Sequence, residues 1–132
     1  MKYLLDTNVI IAMFRGKEHV RNAILDAGFE NCFISVVTLC EISVGCHYLG
    51  YQEHEHEIRF LKDNFQILPV EPYVDTYGEI RAQLIKTGQP IDDFDIIVGA
   101  TARKDNLTLV THNRRHLDRI EGIQMIDWEA SV

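Results

Sequence analysis

The chain has 132 residues, of which 46% are hydrophobic and 25% charged, and it carries a formal net charge of −7. That length suits a single domain, residues 1–132, able to bury a core without disulfides or a structural metal. The acidic balance argues against a non-specific duplex binder, which needs a strongly basic surface. It does not exclude a nuclease, because divalent cations offset both site carboxylates and phosphate.

In chain order, short β-type runs are expected at residues 2–5, 32–35, 66–70, 107–110 and 124–126. The first apolar stretch contains Asp6 and Asn8 and has no small-residue cleavage site, so it reads as neither signal peptide nor membrane span. A cytoplasmic location without membrane association is expected by elimination. Val20, Ala23, Ile24 and Ala27 recur at helical spacing. After Ser35 the chain is apolar nearly all round through Cys46, as expected of a central helix. Val74, Tyr77, Arg81 and Leu84 form another helical pattern, ended by Gly88 and Pro90. Asp92 or Asp93 then suits the N-cap of a further helix. Cys32, Cys40 and Cys46 are odd in number and lack C-x-x-C spacing, so they read as small buried hydrophobes in a reducing compartment. This alternation predicts an α/β fold with a central parallel β-sheet of about five strands flanked by helices on both faces.

Three carboxylates stand almost alone inside apolar runs. Asp6 is the only charge between Lys2 and Arg15, Glu41 the only charge between Asn31 and Gln52, and Asp95 opens the otherwise uncharged D-I-I-V-G-A-T-A. Such runs are normally buried, and an ionised carboxylate there costs several kcal/mol unless a partner charge meets it. No Arg or Lys lies nearby in sequence to pair with any of the three. In open α/β sheets, ligands bind outside the carboxyl ends of the strands. Asp6 follows the first strand, Thr111 and Asn113 follow the fourth, Glu41 lies one to two turns into its helix, and Asp95 lies in the first turn of its own. All can face one edge of the sheet. Each acid has a plainer reading as well: Asp6, with Thr7 and Asn8, can turn the chain and cap a helix, and Asp95 can serve as another cap. Glu41, in mid-helix, has nothing to cap.

A cluster of Asp and Glu without His or Cys is an oxygen-only site and suits Mg²⁺, with Mn²⁺ able to substitute. Such a cation lowers the pKa of a water for attack on phosphorus and stabilises charge on the phosphoryl oxygens. The chemistry expected is metal-dependent phosphodiester hydrolysis.

These residues resemble a known family. L-L-D-T-N-V at residues 4–9, S-V-V-T-L-C-E-I-S-V-G at 35–45, G-Q-P-I-D-D-F-D-I-I-V-G-A-T-A at 88–102 and L-T-L-V-T-H-N at 107–113 are similar to PIN-domain ribonucleases. The spacing and short length look like the VapC toxins of bacterial toxin–antitoxin pairs. The resemblance runs through four blocks in order and covers nearly the whole chain. It implies a PIN-like three-layer fold, Mg²⁺-dependent endoribonuclease activity on RNA (tRNA before bulk mRNA) and a VapB-type antitoxin partner. It also implies a homodimer that assembles into a toxin–antitoxin hetero-oligomer. Asp6, Glu41 and Asp95 match the family's acidic site, with Asp6 and Asp95 at the positions most directly tied to metal. Asn8 matches the polar residue that orients the first Asp. The fourth site position, often acidic, is Asn113 here, which leaves one metal or two open. Thr111 and Asp92, the latter one turn before Asp95, are expected to support the site from outside.

Arg103, Lys104, Arg114, Arg115 and Arg119 cluster in the last third and suggest a phosphate-binding rim, with Arg114 and Arg115 the candidate RNA contacts; a solvated helix face is the plainer reading. His54 and His56, among Glu53, Glu55 and Glu57, read as a solvated helix face. His112 and His116 lack a third ligand for zinc. Trp128, Phe14 and Phe94 read as core. Two other functions fit part of the pattern. A hydrolase of the haloacid dehalogenase type also opens with strand-D-x-D, but position 8 is Asn and the chain is short. A catalytically silent PIN module binding RNA or a partner protein is the remaining alternative.

Overall fold

All five expected strands form, and all run parallel in one sheet of order β3-β2-β1-β4-β5. The computed structural model describes residues 1–129. The strands are β1 (Tyr3–Leu5), β2 (Cys32–Ser35), β3 (Gln66–Leu68), β4 (Thr108–Val110) and β5 (Gln124–Ile126). Three are shorter than their apolar runs. β3 stops before Pro69, which has no N–H for a ladder. β4 starts late because the Leu107 N–H is given to the Ala102 carbonyl at the end of the preceding helix. β1 begins at Tyr3 rather than Lys2.

Among the described residues seven α-helices flank the sheet: α1 (Thr7–Phe14), α2 (Glu18–Ala27), α3 (Val36–Leu49), α4 (Tyr51–Asn64), α5 (Val74–Lys86), α6 (Asp93–Lys104) and the single turn α7 (Arg114–Leu117). Successive strand residues point to opposite faces. Leu4, Phe33 and Leu109 pack with Ile80 and Leu84 of α5 and Ile96 and Ala100 of α6. Leu5, Cys32, Ile34 and Val110 pack on the other side with residues of α1, α2, α3 and α4. A parallel sheet sandwiched in this way explains why its strands are apolar on both faces. No helix among the described residues is long and apolar enough to cross a membrane.

The caps follow the local chemistry. Asp6 caps α1, its Oδ1 accepting from the Thr7 N–H, and the chain then turns out of α1 at Gly16, where φ is +80°. Asp92 rather than Asp93 caps α6, accepting from the Phe94 N–H at 3.0 Å. Asp93 instead receives the Tyr77 hydroxyl and the Arg81 guanidinium of α5. Gly88, at φ +65°, follows the end of α5 as its sequence predicts.

α3 departs from the expected all-round burial. Only Val37, Thr38, Ile42 and Cys46 are buried, while Cys40, Val44 and Tyr48 are exposed. A helix laid on one face of a sheet buries one stripe, so the apolar residues opposite it remain outside. Cys32 and Cys46 are therefore buried as expected and Cys40 is not. Phe94 is likewise exposed rather than core, whereas Phe14 packs edge-on to Phe60 and Trp128 packs against Tyr3.

Leu109, fully buried in the middle of β4, tests this core. Leu109→Ala should cost about 2–5 kcal/mol and lower the melting temperature by roughly 10 °C. A thermal melt matching the parent would remove Leu109 from the core.

Candidate active site

The chain runs from β1 to β2 to β3 in one direction and then returns to place β4 on the other side of β1. That reversal opens a crevice at the carboxyl ends of β1 and β4, where such sheets bind ligands. Asp6 leaves β1 at this point and Thr111 leaves β4. Backbone bonds fix both: the Asp6 N–H donates to the Val110 carbonyl and the Thr111 N–H to the Ile126 carbonyl, each at 3.0 Å.

Asp6 is only 6% exposed and its carboxylate is densely solvated by the protein. Oδ1 accepts from the Thr7 N–H at 2.9 Å. Oδ2 accepts from the Thr111 hydroxyl at 2.9 Å and from the Asn8 amide at 3.4 Å. Thr111, itself fully buried, also accepts from the Asn113 N–H at 2.9 Å and from Asn8. The two plainer and sharper readings of Asp6 are thus both present in one side chain, which caps α1 and faces the crevice. Burial raises its pKa above the ordinary 3.8, against the lowering effect of these donors and of nearby His112.

Glu41 is exposed, contrary to the burial that its apolar run predicts, because it lies on the outer stripe of α3. It is nevertheless anchored. The Thr7 hydroxyl donates to Glu41 Oε1 at 2.6 Å, and the Thr7 and Thr38 hydroxyls are 3.1 Å apart. Asp95 is half-buried in the first turn of α6. Its pKa is pushed up to about 6, first by burial and then by the charges of Asp6, Asp92 and Glu41, with His116 acting oppositely. The three acids therefore converge within electrostatic reach, although only Asp6 is deeply buried. Among the described residues none of them pairs with Lys or Arg.

Asp95 lines a cavity of about 420 Å³ together with Asp92, Asn113, His116 and Arg119. Asn113 thus reaches the site, as does Asp92, whose carboxylate is already used as the α6 cap. Arg114 and Arg115 lie on α7, exposed and outside that cavity lining. The remaining basic cluster divides. Arg103 pairs with Glu79 and Lys104 donates to the Pro72 carbonyl, both at the end of α6 remote from Asp95. His112 sits in the loop before α7, paired with Glu129 at 2.8 Å, and so does not share a helix face with His116.

The donor set fits a hard cation held partly through water. No three Asp, Glu, His or Cys side chains among the described residues are grouped tightly enough to hold an ion directly. Mg²⁺ commonly uses one or two carboxylates, with water and phosphate completing its shell. Asn8 Oδ1 is buried without a hydrogen-bond partner beside Asp6, an acceptor suited to an ordered water. Sequence reasoning missed Thr7 and Thr38. Thr7 was hidden between two polar residues that already explained a cap, and Thr38 signals itself only as the hydroxyl one turn before Glu41.

Asp95 holds its proton more tightly in the folded chain than in the unfolded one. The native state therefore binds more protons between pH values of about 4 and 6, and stability falls as pH rises through that window. Asp95→Asn should remove this fall and raise the metal-free melting temperature at pH 7 by a few degrees. Asp6→Asn should gain less, since it disturbs bonds to Thr111 and Asn8. Melts of both variants from pH 4 to 7.5 check this; a lower melting temperature for Asp95→Asn would overturn it.

Known proteins resemble this chain along nearly its whole length. Residues 3–123 match the PIN domain family. The tRNA(fMet)-specific endonuclease VapC of Shigella flexneri is 29% identical over 130 residues, covering 97% of this chain and 98% of that protein. Ribonuclease VapC1 of Haemophilus influenzae strain R2866 is 31% identical over 134 residues, covering 97% and 98%. The crystal structure of DNA-bound VapBC from Salmonella typhimurium superposes with a TM-score of 0.89 at 28% identity, covering 97% of this chain and 98% of that one. The match spans β1 to β4 and stops just before β5, and it includes the positions of Asp6, Glu41, Asp95 and Asn113: the chain belongs to the PIN domain family, beside its VapC members.

Proposed function

We propose that the protein is a Mg²⁺-dependent endoribonuclease toxin of a type II toxin–antitoxin pair, with tRNA as its substrate class. The observation that carries this reading is the convergence of Asp6, Glu41 and Asp95 within electrostatic reach of one another, none of them ion-paired with Lys or Arg among the described residues. Asp6 and Asp95, with Glu41, would hold the cation. When bound, Mg²⁺ would supply positive charge against the phosphoryl oxygens and lower the pKa of the attacking water.

The chain's own residues organise the rest. Thr111, Asn8 and the Thr7 N–H fix the Asp6 carboxylate, so that it need not reorganise during reaction. The Thr7 hydroxyl fixes Glu41. Asp95, its carboxyl pushed up to about 6, lines the cavity and makes no side-chain hydrogen bond among the described residues that would turn it away. Asn113 offers an uncharged amide in the same cavity. Attack of water on phosphorus with departure of the 3′-oxygen leaves a 5′-phosphate and a 3′-hydroxyl.

The relative named for tRNA(fMet) supports a structured RNA as substrate. Solved neighbours include VapBC complexes, among them VapBC-1 from nontypeable Haemophilus influenzae at a TM-score of 0.85, which supports a VapB-type antitoxin as partner. A homodimer within a toxin–antitoxin hetero-oligomer completes the proposed assembly.

Incubating purified, antitoxin-free protein with total bacterial RNA tests the reading. Discrete fragments should form with Mg²⁺ and vanish with EDTA. Loss of an outer partner of a metal ligand costs about 10–100-fold, so Asp6→Asn or Asp95→Asn should lower cleavage by at least about 100-fold. Near-parental turnover in either variant would remove the assigned mechanism, and well-folded protein that binds but never cuts RNA would favour a silent module. Charge reversal at Arg114 and Arg115 should weaken RNA affinity and flatten its salt dependence by roughly one to two in slope; an unchanged slope would take the RNA away from α7.

A further inference from the structure

A second cavity, of about 390 Å³, is lined by Asn8, Arg15, Lys17, His112 and Glu129 among others. The two cavities share no lining residue, but adjacent residues after β4 reach both: His112 lines one and Asn113 the other. Asn8 connects the second cavity to the acids, since its amide donates to both Asp6 and Thr111.

The cavities differ in charge. The one beside Asp95 carries two carboxylates, balanced by His116 and Arg119. In the one beside Asn8, the single carboxylate, Glu129, is already taken by His112 at 2.8 Å. Arg15 and Lys17 are exposed there, and among the described residues neither meets a carboxylate. An overall acidic chain with an ionised crevice repels a nucleic-acid backbone everywhere except where unpaired cations stand. A strand with its scissile phosphate at Asp6 and Asp95 must also continue beyond them on both sides.

We infer that the Asn8–Arg15–Lys17 cavity is a backbone subsite for the RNA, in which Arg15 and Lys17 take the phosphate flanking the scissile bond on the α1 side. This rests on the ribonuclease reading and adds the path of its substrate. The two residues end α1 and precede α2, so the helix that Asp6 caps at its start delivers a phosphate contact at its finish. Arg114 and Arg115 on α7 then lie on the opposite flank, and the strand crosses the crevice between the two basic groups.

The test uses the paired variant Arg15→Gln/Lys17→Gln, with Lys62→Gln on α4 as the control. In an Asp95→Asn background, filter binding of labelled bulk bacterial tRNA should weaken about tenfold at moderate salt, and the slope of log K against log salt should fall by about one to two. In the active background the loss should fall in KM rather than kcat, and melting temperatures should match the parent, because both side chains are exposed. A paired variant with the parental slope and KM overturns the subsite, whatever it does to protein partners. A parent that neither binds nor cuts RNA overturns the ribonuclease reading and the subsite with it; a parent that cuts while the paired variant is unaffected overturns the subsite alone.

Discussion

The hydrogen bond from Thr111 to Asp6 is the contact on which the crevice depends. It joins the ends of β1 and β4, residues 105 apart in sequence, at the one place where the sheet reverses its order. Neither residue alone defines a site. A buried carboxylate without donors would protonate, and a buried threonine without acceptors would leave its hydroxyl unsatisfied. Together they give an anion that is held still and kept available, and Asn8 and the Asn113 N–H extend the same network to the next turn on each strand.

From that junction the other elements take their places. α1 starts at Asp6 and carries Thr7, which fixes Glu41 on α3. α6 starts at Asp92 and brings Asp95 to the same crevice with the positive end of its dipole toward the acids, which favours their ionised forms. The residual cost is visible in Asp95, whose carboxyl is driven up to about 6 by burial and its neighbours. The chain tolerates like charges in close company because each acid is tied to a different element, and the elements are locked by the two cores rather than by the site itself.

Much of this was legible in the sequence. Apolar runs marked every strand, and the lone acids Asp6, Glu41 and Asp95 marked the crevice, because charge inside an apolar run needs a reason. The exposure of Glu41 was not legible. An apolar helix buried all round and one with an uncovered apolar stripe have the same composition, and only the placement of α3 over one sheet face separates them. The split of the basic cluster was hidden for a similar reason: Lys104 is tied to the Pro72 carbonyl at the end of α6, whereas Arg119, after β4 and α7, lines the cavity beside Asp95. Thr7 escaped notice because a helix start already accounted for its polarity.

Asp6 answers to two demands of unequal strictness. As the residue that opens α1 it needs only a short side chain with an oxygen for the Thr7 N–H, and Asn, Ser or Thr meets that need nearly as well. Only the crevice requires a full negative charge there, and the metal-free fold would be easier without it. Selection for the fold alone would therefore ask of position 6 only a cap and an acceptor for Thr111, not a charge. Under the proposed ribonuclease chemistry the charge at position 6 is retained for the crevice, so a copy of this chain released from that task would record the release there before the core did.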